Sequence, residues 1–186
     1  MSSTLTQRTQ QLPLKDTKDI LSKATTIQEL LPPVTRGDVN VKVAQTEMER
    51  SACFDIRNKI FVKEQHFPYE WDVDGRDENA IHLLAHDCRT GCPMGTVRLL
   101  LGEDRCVTIQ RVSVLKEFRS LGVGRKLMQF CVDHMKSIRV AKAVMGAQTH
   151  ATRFYESLGF QVQEGCEEYN MFETIPHIDM EQVFVY

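Results

Sequence analysis

The sequence predicts a mixed α/β chain: a central mixed β-sheet of six to seven strands with helices on both faces. Three observations predict it. Short β-branched runs alternate with polar residues, as at Val39, Val41 and Val43. Two segments repeat apolar residues at helical spacing: Ala52, Cys53, Ile56 and Ile60, then Val123, Leu127, Cys131, Met135 and Ile138. The elements follow in the order β-α-β-β-β-α-β-α-β-β, which calls for a sheet covered on two sides.

Residues 1–37 read as an extension and 38–186 as the folded domain. The extension is polar at first. Asp16 to Leu31 carries Ile20, Ala24, Ile27 and Leu31 on one helical side, and Pro32-Pro33 ends it. Arg36-Gly37-Asp38 then reads as linker. After the first strand, Thr46 and Glu49 form a capping box that opens a helix. Phe61 to Pro68 leaves that helix. Glu70 to Glu78 holds five carboxylates and Trp71, and such a run is usually a solvated loop. A hairpin follows, Ala80–His86 and Met94–Leu101. Cys106–Leu115 and Ala141–Ala147 flank the long helix and pair in parallel, as a crossover requires. Thr149 can cap a helix over 151–158, with Gly159 ending it. The last strands are Phe160–Gln163 and His177–Val185.

Composition excludes several classes. A length of 186 residues suits one domain with a tail. A net charge of −2 gives no basis for a nucleic-acid partner. No apolar run reaches the ~18 residues of a membrane span, and the N-terminus lacks a secretory h-region. The expected location is cytoplasmic, where six cysteines stay reduced. Cys53 and Cys131 fall on apolar helix faces. Cys88, Cys92 and His86 suggest a metal site only weakly, because no second Cys pair completes it, and no metal is expected.

The chemistry concentrates between Val112 and Met128. A strand (Val112, Ser113, Val114) feeds the loop Arg119-Ser120-Leu121-Gly122-Val123-Gly124, which opens the long helix. The first N–H groups of a helix lack intrahelical partners and carry the positive end of its dipole. Gly122 and Gly124 let a phosphate approach the backbone. Arg119, Arg125 and Lys126 add cations. The stretch supplies neither G-x-x-x-x-G-K-[ST] nor a full G-x-G-x-x-G. The residues alone leave a pyrophosphate site and a plain strand-to-helix turn both open.

Arg119-x-x-Gly122-x-Gly124 after a Val-x-Val strand resembles the coenzyme A loop of the GCN5-related N-acetyltransferases. Ala151-Thr152-Arg153-Phe154-Tyr155-Glu156-Ser157-Leu158-Gly159-Phe160 is similar to a second segment of that family. Phe61-Val62-Lys63-Glu64-Gln65, Ala80-Ile81-His82-Leu83, Ala147-Gln148-x-His150 and Ile175-Pro176-His177-Ile178-Asp179-Met180 resemble its ElaA-like branch. The resemblance covers roughly residues 38–186, on the usual extent of such a domain. It departs at Gln148, where many relatives have Asn, and in the strand Cys106–Arg111, which lacks the Glu of histone-type enzymes.

The resemblance implies an acetyl-CoA-dependent N-acetyltransferase acting on the primary amine of a small molecule. A protein N-acetyltransferase and a non-catalytic CoA-binding module are the alternatives. It implies that Val112, Ser113 and Val114 hold the pantetheine, and that the loop Arg119, Ser120, Leu121, Gly122, Val123, Gly124 and Arg125 holds the pyrophosphate. Gln148, Phe154 and Tyr155 contact the cofactor too. Acetyl transfer needs a held donor, a deprotonated amine, a stabilised oxyanion and a protonated thiolate. Tyr155 is the candidate acid; its alternative is a core aromatic with a satisfied hydroxyl. Glu64, His82 and His177 are the candidate bases, with Gln65 beside Glu64 at the acceptor. Their alternatives are a helix-end ion pair, a buried strand histidine and a strand-start hydrogen bonder. The acidic stretch would attract cationic amines if it bordered the slot. A homodimer stays open.

Overall fold

The structure is a computed structural model that describes residues 35–171 and 175–186. The expected helix over 16–31 lies outside these residues. Thr35 to Tyr186 forms one compact unit.

Eight strands make the sheet, one more than the upper expectation. They are β1 (Val39–Val43), β2 (Ala80–Asp87), β3 (Pro93–Leu101), β4 (Cys106–Val114), β5 (Lys142–Gln148), β6 (Gln161–Val162), β7 (Tyr169–Met171) and β8 (Ile175–Val183). The order is β1-β2-β3-β4-β5-β8-β6, with β7 also on β8. All pairs are antiparallel except β4 with β5. The additional strand is β7, three residues with no alternation of their own, fixed by pairing with Ile175–His177.

Helix α1 (Glu47–Arg57) starts at the expected capping box: Thr46 Oγ1 accepts from Glu49 N, and the Glu49 carboxylate accepts from Thr46 N. It does not end where the sequence suggests. A π-helical segment continues it through Asn58–Glu64. Cys53, Ile56 and Ile60 pack with Leu84 and Leu115. The long helix is α3 (Val123–Ser137), and Leu127 lies against Gly95 of β3. Leu84 faces Thr96 across the hairpin, and the next pair is Ala85 with Gly95. Successive strand residues point to opposite faces, so α1 and α3 cover opposite sides of the sheet. Two short helices complete the set, α2 (Tyr69–Asp72) and α4 (Thr152–Glu156). A 3₁₀ turn over Thr149–Ala151 precedes α4, so Thr149 is not its side-chain cap.

The acidic stretch is not a solvated loop. Asp72 is 2% exposed. It accepts from Arg57 Nε at 2.9 Å and Arg111 Nε at 3.1 Å. Asp77 pairs with Arg57 and Arg98 at 2.6 and 2.9 Å, and Asp74 with Arg98 at 2.6 Å. Three carboxylates thus neutralise three buried arginines. Burial pushes Asp77 up, but the hydrogen bonds from Arg57 and Arg98 outweigh it and hold this carboxyl below its ordinary range. The isolated buried charges would be costly, and pairing removes that cost.

Candidate functional site

The sheet opens where β4 and β5 part. They pair only at Cys106, Val107 and Thr108 against Lys142, Ala143 and Val144. Both strands run on unpaired with each other, β4 to Val114 and β5 to Gln148. A bulge lies at the divergence. Thr96 faces Ser113 and Arg98 faces Gln110, so Arg111 and Val112 together oppose Val97. Arg111 takes a left-handed φ of 55°. Such a residue persists only where its surroundings hold it. Here Asp72 binds its Nε, the Trp71 carbonyl accepts from its Nη2, and the Trp71 ring lies 3.7 Å beneath the guanidinium.

The gap is a cleft of about 300 Å³. Val112 of β4, Gln148 of β5, Tyr155 of α4 and His177 of β8 line it, with His150, Tyr169 and Trp71. Tyr155 is 7% exposed, with its ring edge-on to Phe154 and Phe160. Its hydroxyl makes no hydrogen bond to another described residue. Burial raises the Tyr155 pKa, so the phenol stays protonated at neutral pH.

His177 sits on the central pairing line, with Gln148 on one side and Tyr169 on the other. Its Nδ1 lies 2.8 Å from the Ile175 carbonyl. A carbonyl only accepts, so Nδ1 carries the proton and Nε2 keeps a lone pair. Burial lowers the His177 pKa, which favours the neutral ring. Tyr169 stacks on it at 5.9 Å and donates to Asp179 Oδ1 at 2.9 Å. Tyr169 crosses directly over Gly146, where a Cβ would collide with its hydroxyl.

The other expected site residues divide. Glu64 is at the end of the π-helical segment and pairs through both oxygens with Arg119, at 2.8 and 2.9 Å. Arg119 Nε also donates to the Val114 carbonyl, so the pair braces the loop against β4. Gln65 exchanges amide hydrogen bonds with Gln148 at 3.1 and 3.5 Å. Ser113 is buried, its hydroxyl on the Arg111 carbonyl. His82 is not brought to the cleft. It is 1% exposed, against Phe54 and 3.0 Å from the Asp77 carbonyl, in the arginine–aspartate cluster. Its Nδ1 has no partner, and burial lowers its pKa.

The loop reaches the cleft through Phe154. Gly124 lies against Val114 and the Phe154 ring, and Phe154 touches Tyr155. Gly122 is the N-cap of α3 at φ 80°, with no side chain capping the helix. Ser120 also has positive φ, 66°. The free N–H groups and the open α-carbon at Gly122 fit a pyrophosphate. Of the surrounding cations, Arg125 donates to Ser157 Oγ and Lys126 to the Val39 carbonyl.

The sequence reading missed His150, Trp71 and Tyr169 as cleft residues. His150 was within reach, two positions after Gln148. Tyr169 depends on β7, which has no local signal. A larger groove of about 730 Å³ lies along α1, lined by Glu47, Phe54 and Tyr69; neither the loop nor Tyr155 borders it. Among the described residues no cluster of His, Cys, Asp and Glu could hold a metal, and no helix is long and apolar enough to cross a membrane.

A Gly-lined helix N-terminus thus follows a strand that splits from its parallel neighbour, with a phenol and an imidazole in the split. The chain belongs to the acetyltransferase (GNAT) family, whose model matches residues 49–160. It falls in the ElaA-like branch. It is 34% identical over 136 residues to protein ElaA of Escherichia coli, covering 69% of this chain and 84% of that one. The crystal structure of E. coli ElaA superposes with a TM-score of 0.68 and 27% identity, over 77% of this chain and 99% of that one. The crystal structure of an acyl-CoA N-acyltransferase from Pseudomonas aeruginosa does so at 0.67 and 30% identity, over 78% and 99%. The family uses acetyl-CoA as donor.

Proposed function

We propose that this chain is an acetyl-CoA-dependent N-acetyltransferase that acetylates the primary amine of a small molecule by direct attack on the thioester. One observation carries the reading. Among the described residues the Tyr155 hydroxyl and His177 Nε2 have no hydrogen-bond partner, and both side chains line one cleft where β4 and β5 part. Acetyl-CoA, when bound, supplies the activated acyl group.

The chain's own residues divide the remaining work. The N–H groups of Val123, Gly124 and Arg125 bind the pyrophosphate, and the Arg119–Glu64 pair holds their loop. Val112 at the bulge offers backbone groups to the pantetheine arm. His177 Nε2 takes a proton from the acceptor's ammonium, which is mostly charged at neutral pH. Tyr155 Oη gives a proton to the departing sulfur. Gln148, locked to Gln65, fixes the β5 wall. The cleft volume suits a small acceptor. Asp72, Asp74 and Asp77 are committed to arginines, which leaves Glu70 and Glu78 as the carboxylates of the stretch open to a cationic acceptor. The six cysteines are free thiols, which suits work in the cytoplasm.

Thiol release from acetyl-CoA across a panel of small amines and lysine peptides tests this. Turnover with small amines supports it. Turnover on peptides alone turns the reading to a protein acetyltransferase. CoA binding with no turnover on any amine leaves a binding module.

A further inference from the structure

The phosphate loop has a neighbour from outside the family-matched region. Thr35 to Asp38 is not a free linker. The Asp38 carboxylate accepts from Thr35 N and Oγ1, both at 2.8 Å, and closes a single 3₁₀ turn. The turn is anchored at its far end, where Cys88 N donates to the Asp38 carbonyl at 2.7 Å and Arg89 pairs with the Asp38 carboxylate at 3.5 Å. Lys126 of α3 binds the Val39 carbonyl and ties the following strand to the same helix. This geometry aims Arg36 at the loop. Its side-chain carbons and Nε lie 3.7–3.8 Å from where a Cβ on Gly122 would stand, and Nη2 reaches the Ser120 carbonyl at 3.5 Å.

The cations inside the motif are committed elsewhere. Arg119 is spent on Glu64 and the Val114 carbonyl, Arg125 is turned to Ser157, and Lys126 is on Val39. Arg36 is exposed, and its one described hydrogen bond is long. A guanidinium has five donors, so most of this one's capacity is unspent, beside the uncapped N-terminus of α3.

We propose that Arg36 is a cofactor-binding residue that completes the phosphate cradle, its guanidinium binding the donor's pyrophosphate over Gly122. This rests on the coenzyme A reading of the loop. Charge-assisted contacts to phosphate are among the stronger hydrogen bonds, and they weaken with salt when exposed.

The test is CoA binding by calorimetry with the full chain as wild type, Arg36→Ala, Arg36→Lys and Gly122→Val. Arg36→Ala should weaken CoA by about tenfold, and Arg36→Lys by less. The affinity of Arg36→Ala should also depend less steeply on salt than wild type does. Turnover of S-acetylpantetheine, which lacks the pyrophosphate, should be the same in wild type and Arg36→Ala. If Gly122→Val abolishes CoA binding while Arg36→Ala leaves affinity and salt slope unchanged, the loop reading stands and the role of Arg36 is overturned. Equal losses with CoA and S-acetylpantetheine make Arg36 a packing residue of the turn, which also overturns it. A wild type that does not bind CoA removes both readings.

Discussion

His177 and Tyr169 are direct partners across β8 and β7, with ring centroids 5.9 Å apart and planes 24° from parallel. The stack fixes the imidazole plane from one side, and the Ile175 carbonyl fixes its tautomer from the other. If this ring is the base, activity should follow its neutral form. Burial lowers its pKa, so the acid limb of kcat/KM should be centred below the ordinary imidazole value of 6.5. His177→Asn should lower kcat by about 10²-fold and remove that acid limb. A variant that keeps the limb would assign it to another group.

Tyr155→Phe removes one hydroxyl and almost no volume. If the hydroxyl protonates the leaving thiolate, kcat should fall by about 10²-fold with CoA affinity unchanged, because the interaction forms only in the transition state. Stopped-flow thiol release and CoA calorimetry on the same preparation read both quantities. Full kcat would return Tyr155 to the role of a packing aromatic.

Asp72 carries stability. Its carboxylate sits between Arg57 and Arg111, both buried, and Asp72→Asn would leave two cations with half their compensation. The expected loss is about 3–5 kcal/mol in urea unfolding. Neutralising Asp74 and Asp77 should lower stability at neutral pH, flatten its loss toward acid, and leave the acceptor KM unchanged. The sign follows from their pKa values, which are held below the ordinary 3.8. That stability is full above the ordinary value and is lost as pH falls toward the folded one. His82 adds to the same trend: its lowered pKa makes its stabilisation complete above 6.5 and lost as pH falls below that.

Gly146→Ala places a Cβ against the Tyr169 hydroxyl. Tyr169 must then leave Asp179 or tilt off His177. Overpacking of this kind costs about 1–3 kcal/mol. The acceptor KM should rise while CoA affinity holds. Unchanged acceptor KM would show that Tyr169 does not shape the acceptor end.

Local signals in the sequence were reliable where the physics is local. The Thr46–Glu49 cap, the α3 stripe and the Gly122 turn each depend on residues within one or two turns. The acidic stretch was misjudged because its partners, Arg57, Arg98 and Arg111, come from three other elements and share no periodicity with it. The continuation of α1 as a π-helical segment was hidden because Phe61 and Val62 suit several conformations. Glu64 and His82 resembled site residues by motif. Only the fold shows that Glu64 is bound to Arg119 and that His82 faces the arginine cluster. The cleft lies beside one extra residue at Arg111–Val112, marked in the sequence only by the shift of apolar positions from Val107 and Ile109 to Val112 and Val114.

The parting of β4 and β5 after three residue pairs has a consequence for the protein's lifetime. Two central strands lack each other's support along more than half their length, so a donor that filled the gap would also support the fold. A ligand that binds only the folded state at a hundredfold excess over its Kd adds about 2.7 kcal/mol. The population open to proteolysis shrinks accordingly. A cell rich in acyl donor would therefore hold more of this protein than one starved of it, at the same rate of synthesis.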